Sequence, residues 1–441
     1  SISAPRDEAN QQILKILKRG YEAKHPDTNV IVESWGSLEN SENYISQNAL
    51  NRSQLSNMIY TTDDTTSVLA QKNNFVDLRP FFERSEETDY TNYYESMLHT
   101  TAYNGEFRPT TSYNGAYSCP NGKSDEKQYG IFFSPREYNM PGLVLNVDAF
   151  EKVGVPLPNK DNWNFDVFVQ LLRDISNAIK DKAENQHLNE FNVYRGIELN
   201  QCWEPIYTTF MKHFETDGLF KFDNNGDAMS NVTSQTNIDA FKTIVNSFGN
   251  DEYKYAIDQD LTNEDFPANT ILMCAVSLPA VASYFQSVKN IKFMPLPFEY
   301  VGAGCGGYGI LIDRCKDTDI QTVNGESRKT VDICWDFLKY SLSEEGQNLC
   351  GAPGYVQPVL KKLATNGDWI KSYDESLDHS AFASAKELRL NTYYFAEPTL
   401  RNKLRVIVNA MFKDLFKPST KVGDVTSIAE KADSDIRNAL K

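Results

Sequence analysis

Hydrophobic positions along this chain change period again and again, and each change marks a switch between helix and strand. Ile2 opens a short strand, Pro5-Arg6-Asp7-Glu8 is a polar loop, and Ile13, Leu14, Ile16 and Leu17 share one face of a helix closing near Lys24-His25-Pro26. Asn29 to Ser34 alternates as a strand that ends at Trp35-Gly36. A strand-loop-helix-strand start of this kind implies a parallel sheet, with its ligand edge at the carboxyl ends of the strands. Leu55 to Tyr60 reads as the next strand, followed by the polar loop Thr61-Thr62-Asp63-Asp64 and a helix through Leu69. Phe75 to Phe81 is a capped turn into another helix, and Asn104 to Lys127, rich in Gly, Asn, Ser and Tyr, is a long surface loop.

The stretch from Tyr129 to Trp163 organises the rest. The apolar run Gly130 to Phe133 is broken by Pro135 and the polar cluster Arg136, Glu137, Tyr138 and Asn139, and a second apolar run, Leu143 to Leu145, leads into Asn146 and a short helical turn. The pattern is a strand that leaves one sheet, crosses an irregular polar segment and enters a second sheet. Loop residues at such a crossing are free to bind, so the polar cluster is placed in a cleft between lobes. Beyond it, Asn162 is expected to cap a helix carrying Phe165, Phe168, Val169, Leu171 and Leu172, with Trp163 as a packing residue. Val193 to Leu199 is a strand whose end carries the loop Asn200-Gln201-Cys202-Trp203-Glu204-Pro205.

Further on, a helix spans Ile238 to Phe248, Thr270 to Ser277 is a buried strand, and Pro279 to Phe285 begins a helix. Ile291 to Pro297 is a strand ending in a second crossing at Pro295-Leu296-Pro297. Gly302 to Gly309 holds five glycines but no Gly-Lys-Ser/Thr, and the strand Ile310-Leu311-Ile312 follows instead of a helix. That excludes a phosphate loop and leaves a close backbone approach, either to a ligand or between strands. Val331 to Leu342 is a helix, Ser343 restarts it, and a turn at Gly351 to Tyr355 leads into a third crossing near Tyr355 to Val359. The carboxyl end is helical, with Leu400, Leu404, Ile407, Val408, Met411, Phe412 and Leu415 on one face and a last helix over Val425 to Leu440.

Composition narrows the function. The 441 residues are too many for one ordinary core; at roughly 150 residues per domain they suggest two or three domains. The net charge of −16, with Lys and Arg scattered, removes the basic face that nucleic acid needs. No apolar run approaches the ~18 residues of a membrane span. Seven cysteines in no CxxC or Cys/His pattern, with only five histidines, give no zinc site and read as buried, inert thiols in preference to the alternative of disulfides. Asp223-Asn224-Asn225-Gly226-Asp227 resembles half a calcium loop but lacks its bidentate Glu, which favours a β-turn. No cofactor is called for. The aromatic content of 12% suits stacking on flat or sugar-like ligands.

Taken in order, these segments resemble the extracellular solute-binding proteins of ABC importers, in the family of maltose and oligosaccharide binders. The resemblance is carried by Tyr129 to Pro135 with Leu145-Asn146, by Asp148-Ala149-Phe150-Glu151-Lys152-Val153-Gly154, by Asn162-Trp163 through Phe168, by Phe337 to Leu342 with Gly346-Gln347, and by Pro295-Leu296-Pro297 before a Gly-Gly pair. It covers nearly the whole chain. Leu145 stands where the family commonly has Tyr, Asn139 where a carboxylate is found, and Leu278-Pro279 where an aromatic platform is found, so it implies the fold and not maltose specificity.

The resemblance implies an α/β, two-lobed periplasmic-binding-protein fold (type II-like), each lobe a mainly parallel sheet flanked by helices, joined by a multi-strand hinge that closes on the ligand. The first lobe is expected over 1–138 plus 300–357 and the second over 139–299 plus 358–441. Carried over by position, Glu8, Tyr60, Asp63, Asn139, Gln201 and Trp203 line the site; the polar neighbours Asp64, Arg136, Tyr138 and Asn200, the glycines Gly306 and Gly307, and the aromatics Trp35, Tyr355 and Tyr394 beside strand ends or hinges are added to them. A pyranose offers apolar C–H faces to Trp or Tyr and hydroxyls to paired donors and acceptors, and this set supplies both.

The implied function is capture of an oligosaccharide in the cleft and delivery to an ABC permease, with no chemistry, no metal and no nucleic acid. The expected form is a monomeric cell-surface lipoprotein of a Gram-positive bacterium. SISAPRDE is not a signal peptide, so any lipid anchor, the sole membrane attachment, lies outside this sequence. Two alternatives stay open. A glycoside hydrolase needs two carboxylates roughly 5–10 Å apart, and a ferric binder could use the adjacent pairs Tyr93-Tyr94 or Tyr393-Tyr394.

Overall fold

The computed structural model describes residues 1–6, 8–36, 55–62, 66, 69, 70, 72, 74–85, 88, 89, 92, 93, 101–103, 127–131, 142–198, 211, 214, 216, 218–225, 227–248, 270–276, 288, 290–297, 306–371, 377–383, 396–417 and 419–441. In chain order these include β1 (Ile2–Pro5), α1 (Glu8–Lys24), β2 (Val32–Trp35), β3 (Met58–Thr62), α2 (Arg79–Glu83), β4 (Ala102–Tyr103), β5 (Lys127–Gln128), β6 (Gly142–Asn146), α3 (Val147–Val153), α4 (Phe165–Lys180) and β7 (Arg195–Glu198). There follow β8 (Phe220–Phe222), β9 (Ala228–Ser230), α5 (Gln235–Phe248), β10 (Ile271–Val276), β11 (Ile291–Pro295), β12 (Gly306–Ile310), β13 (Ile320–Val323), β14 (Glu326–Lys329), α6 (Thr330–Leu342), α7 (Glu344–Gly351), α8 (Pro398–Leu415) and α9 (Val425–Ala439).

The chain divides into two compact units, residues 1–137, 303–373 and 387–390 in one and 138–302, 374–386 and 391–441 in the other. Residues 358–373, expected with the second lobe, fall in the first unit. An antiparallel bridge from Leu360 to Tyr93 holds them there.

In the first unit the sheet order is β12-β3-β1-β2. β1 pairs parallel with β2 and β3, while β12 runs antiparallel to β3. A core of Leu55, Ile59, Leu69, Ala70, Phe75, Tyr129 and Leu311 fills one region of this unit. Of the stripe read from the sequence, α1 buries Ile13, Leu14 and Leu17 and leaves Ile16 half-buried; it also buries Tyr21, whose ring is edge-on to Phe337 of α6 at 5.4 Å. Ser343 restarts the chain as α7 by accepting the amide of Gly346 at 3.1 Å. Trp369 is fully buried against Gly351 and donates its indole N–H to the Leu363 carbonyl at 2.6 Å.

β13 and β14 form a hairpin that the hydrophobic pattern did not reveal, because its residues are almost all polar and exposed. Its signal was the dipeptide Asn324-Gly325. Both residues sit at positive φ, 53° and 78°, as a tight hairpin turn requires.

In the second unit the order is β11-β6-β10-β7. β10 is parallel to β7, but β6 is antiparallel to both β10 and β11. The expectation of mainly parallel sheets therefore describes the first unit, and the second is mixed.

β6 and β10 are buried at every position, which explains their uninterrupted apolar sequences. Asn146 then caps α3 by accepting the Ala149 amide at 3.1 Å, and Gly154, at φ 83°, closes it. The cap of α4 is Asn164, not Asn162; its side chain accepts the Val167 amide at 3.0 Å, while Asn162 ends a preceding single turn. Trp163 is the packing residue expected, edge-on to Phe168 at 5.7 Å and bonded through its indole N–H to the Pro295 carbonyl at 2.7 Å. Phe241 and Phe248 of α5 pack against Phe412 and Phe416 at 5.7 and 5.6 Å, which seats α8 on the unit.

Among the described residues no helix is long and apolar enough to cross a membrane.

Candidate functional site

Strand direction fixes where the candidate residues of the first unit meet. Because β1, β2 and β3 are parallel, their carboxyl ends share one edge of the sheet, and antiparallel β12 brings its amino end to the same edge. The register makes this explicit: Pro5 stands opposite Trp35, and Thr62 opposite Gly306. The chain binds itself together there, the Arg6 amide reaching the carbonyls of Trp35 at 2.8 Å and Gly36 at 2.9 Å. Gln11 donates to the Pro5 carbonyl at 3.1 Å, tying the first turns of α1 to the end of β1.

Glu8, the first residue of α1, follows this edge directly, and Asp63 and Asp64 come next in the chain after Thr62. Glu8, Trp35, Gly306 and the chain position of the Asp63-Asp64 pair thus converge on one sheet edge. Asp63 and Asp64 themselves lie outside the described residues. The start of α1 adds the partial positive charge of a helix amino terminus to the same edge.

Not every residue there is presented outward. Trp35 is 4% exposed and Tyr60 is 5% exposed. Tyr60 stands opposite Tyr308 in the register, and the two rings meet edge-on at 5.3 Å. Beyond Tyr60, the buried hydroxyls of Thr61 and Thr66 share a hydrogen bond of 2.5 Å that pins the chain just past the Asp63-Asp64 loop.

The glycine run resolves in favour of strand packing. A Cβ on Gly307 would stand 2.8 Å from the Ile131 carbonyl oxygen, and one on Gly309 would be 2.8 Å from both the Phe75 ring and the Tyr129 carbonyl. The two glycines admit the segment 129–131, which bonds to Tyr308 through both of its backbone groups at 2.9 and 3.1 Å. The buried Gln128 amide completes the join, donating to Thr101 at 2.7 Å and to the Gly130 carbonyl at 2.6 Å. Tyr355 follows Gly354 at φ 83° in the turn after α7 and is half-buried.

In the second unit β7, β10 and β11 point their carboxyl ends the same way, and β6 begins at that edge. Gly142 pairs with Val276 on one side and Pro295 on the other. The Phe382 ring lies against Gly142, 2.5 Å from where a Cβ would stand, and edge-on to Phe293 at 5.2 Å. The segments that lead into Gly142 and away from Glu198 hold Tyr138, Asn139, Asn200, Gln201 and Trp203. The topology therefore joins both groups to one edge of this sheet, although these residues, with Arg136 and Tyr394, lie outside the described ones.

Other candidates resolve into structure. Asp223 accepts the amides of Asn225 at 2.8 Å and Asp227 at 2.9 Å, which makes this segment the turn of the β8–β9 hairpin. Tyr93 is buried and edge-on to Phe82 at 6.3 Å, and Tyr94 and Tyr393 lie outside the described residues. Among the described residues no group of three or more His, Cys, Asp or Glu is placed to hold a metal ion.

No family model matches this sequence, and no curated protein matches it either. Solved structures do. An ABC substrate-binding protein from Listeria monocytogenes in complex with cycloalternan is 14% identical and covers 99% of this chain and 97% of its own, with a TM-score of 0.62. A cyclic alpha-maltosyl-1,6-maltose binding protein from Arthrobacter globiformis is 13% identical, covering 100% and 98%, with a TM-score of 0.62. UgpB from Mycobacterium tuberculosis, in complex with glycerophosphocholine, is 14% identical, covering 99% and 98%, with a TM-score of 0.62. The chain has the two-lobed α/β fold of these substrate-binding proteins, and the solved structures named here are binding proteins rather than enzymes.

Proposed function

We propose that this protein is an extracellular oligosaccharide-binding protein that delivers its ligand to the permease of an ABC importer and performs no chemistry. The observation that carries the reading is the fold likeness over 99% of the chain to a protein bound to cycloalternan. Supporting it, Trp35 and the start of α1 at Glu8 lie at one edge of the first sheet, where the chain leaves Thr62 toward Asp63 and Asp64, and the chain enters β6 and leaves β7 at one edge of the second sheet. Asp63 and Trp203 are assigned the leading polar and stacking contacts, and Arg136 and Tyr394 further ones.

The finer assignments belong to the same proposal. The protein acts as a monomer outside the cell, held to a Gram-positive membrane by a lipid anchor and moved by a hinge at the crossings.

Calorimetric titration over gluco-, xylo-, manno- and galacto-oligosaccharides, with cycloalternan and glycerophosphocholine included, tests the reading. One oligosaccharide is expected to bind and to stabilise the fold by about 2.7 kcal/mol at a hundredfold excess over its Kd. Asp63→Asn and Trp203→Ala are expected to weaken that binding about 10- to 100-fold, the cost of one unpaired polar group or one lost ring face. Binding of glycerophosphocholine alone, or release of free sugars during incubation, overturns it.

A further inference from the structure

We propose that Cys315 and Cys334 are an oxidisable dithiol that closes into a disulfide, fastening the chain beyond β12 to helix α6. The pair is independent of the ligand-binding proposal, since it lies at the base of the β13–β14 hairpin and involves none of the residues assigned to ligand.

Their sulfurs stand 3.8 Å apart, in van der Waals contact, across a sequence separation of 19. A disulfide of about 2.05 Å therefore needs the sulfurs to close by less than 2 Å, within reach of a side-chain torsion. The other described cysteines, Cys274 and Cys350, are also buried thiols, and each sulfur lies against a backbone carbonyl, at 3.7 and 4.0 Å.

The frame around the pair is already set. Cys315 follows the single turn Ile312–Arg314, and Cys334 lies in the first turns of α6. Thr330 donates its amide and hydroxyl to the Asp319 carbonyl at 2.8 and 3.0 Å, and Lys329 bonds Asp317 at 2.7 Å, so the two ends of the hairpin are clamped beside the sulfurs. Asn57 anchors the Cys315 side from β3's approach, donating to the Arg314 carbonyl at 2.8 Å and to the Cys315 sulfur at 3.7 Å.

Those contacts divide the labour. The hydrogen bond the two thiols share and the Asn57 amide donating to the Cys315 sulfur hold the Cys315 thiol below its ordinary pKa against the opposing effect of burial. The shared bond and burial push Cys334, which has no second donor of this kind among the described residues, well above its ordinary value. Cys315 is the nucleophile and Cys334 the resolving thiol. With a small disulfide such as oxidised glutathione as the oxidant, the Cys315 thiolate attacks one oxidant sulfur and expels the other as a thiolate. Cys334 then yields its proton, attacks the Cys315 sulfur and expels the second thiolate. Two cysteine thiols are oxidised and one small disulfide is reduced to two thiols. Cys315 and Cys334 are each 5% exposed, so the reaction waits on local opening of the hairpin.

The test reduces the full chain, removes the reductant, and titrates it with oxidised glutathione before alkylation in denaturant and peptide mapping. The expected result is joint loss of both thiols, a peptide pair cross-linked through Cys315 and Cys334, and a melting temperature raised by a few degrees. Cys315→Ser and Cys334→Ser should each abolish the joint loss and the thermal shift. If either fails to fold, the peptide map of the unmodified protein still decides. Both residues remaining alkylatable at full oxidation, a stable glutathione adduct on Cys315, or pairing of either with Cys119, Cys202, Cys274, Cys305 or Cys350 overturns the assignment.

Discussion

Gly307 faces the carbonyl oxygen of Ile131 so closely that a Cβ on it would stand 2.8 Å away. The contact joins two parts of the chain far apart in sequence, and it explains why glycine is needed at that point of β12. A side chain there would push the 129–131 segment off Tyr308 and break two backbone hydrogen bonds.

Gly307→Ala is accordingly expected to destabilise the first unit by about 1–3 kcal/mol, since neither backbone can yield cheaply. Gly423→Ala is the control: nothing lies within 4 Å of its added methyl. Denaturant melts followed by circular dichroism compare the two, and equal midpoints would remove the packing account.

The cap of α4 offers a second prediction. The Asn164 side chain accepts the Val167 amide, and Asn162 accepts no amide of that helix in the observed geometry. Asn164→Ala should cost about 1 kcal/mol. Asn162→Ala, on the preceding turn, should cost a few tenths at most, as ordinary surface changes do. Urea midpoints separate them, and a larger loss for Asn162→Ala sinks the assignment.

These two sites show what was legible in the sequence and what was not. The apolar stripe of α1 and the unbroken runs of β6 and β10 mark buried faces, and burial is what periodicity encodes. The cap slipped by two residues because Asn159, Asn162 and Asn164 are chemically equal candidates, and only backbone geometry chooses among them. The β13–β14 hairpin went unread because an exposed ribbon has no apolar face, leaving Asn324-Gly325 as its single cue. For the candidate site, residue types suggested Trp35 and Tyr60 as ring platforms. Their depth depends on what the fold lays over them, and Tyr60 lies under Tyr308 contact. The parallel sense of β1 and β2 was legible in the strand-loop-helix-strand start, whereas the antiparallel entry of β12, which no local pattern states, is what brings Gly306 to the edge of Pro5, Trp35 and Thr62.

Glu345 supplies a prediction at low pH. The Lys24 ammonium and the Tyr340 hydroxyl, at 3.0 Å, both donate to its carboxylate and hold its pKa below the ordinary value against slight desolvation. A carboxylate depressed in the folded state stabilises it above the ordinary carboxylate range. That stability is lost as the pH falls through that range toward the folded value. Glu345→Gln should flatten the acid limb of a plot of melting temperature against pH. The pair is exposed, so the difference at neutral pH should stay below about 1 kcal/mol. An unchanged acid limb would count against the pair.

Tyr21 makes the opposite prediction at high pH. Burial between α1 and α6, seconded by the negative charge of Asp336, raises its phenol from 10.0 to about 12. The sign follows from proton binding: between those values the unfolded phenol has released its proton and the folded one retains it. Stability from this group is whole below pH 10 and drains away as the pH climbs to 12. The loss is on the order of 1–2 kcal/mol, below a full conversion of the shift because solvent screens the phenolate in part. Tyr340 is raised further, by burial and by its bond to the Glu345 carboxylate, and acts in the same direction. Tyr21→Phe keeps the ring edge-on to Phe337 but removes the titrating hydroxyl, so it should make the alkaline limb shallower without abolishing it. Denaturant melts at several pH values between 9 and 11.5, with phenolate absorbance followed in parallel, measure both quantities on one sample. A variant whose alkaline slope equals that of the parent would show that Tyr21 titrates as freely in the folded chain as in the unfolded one.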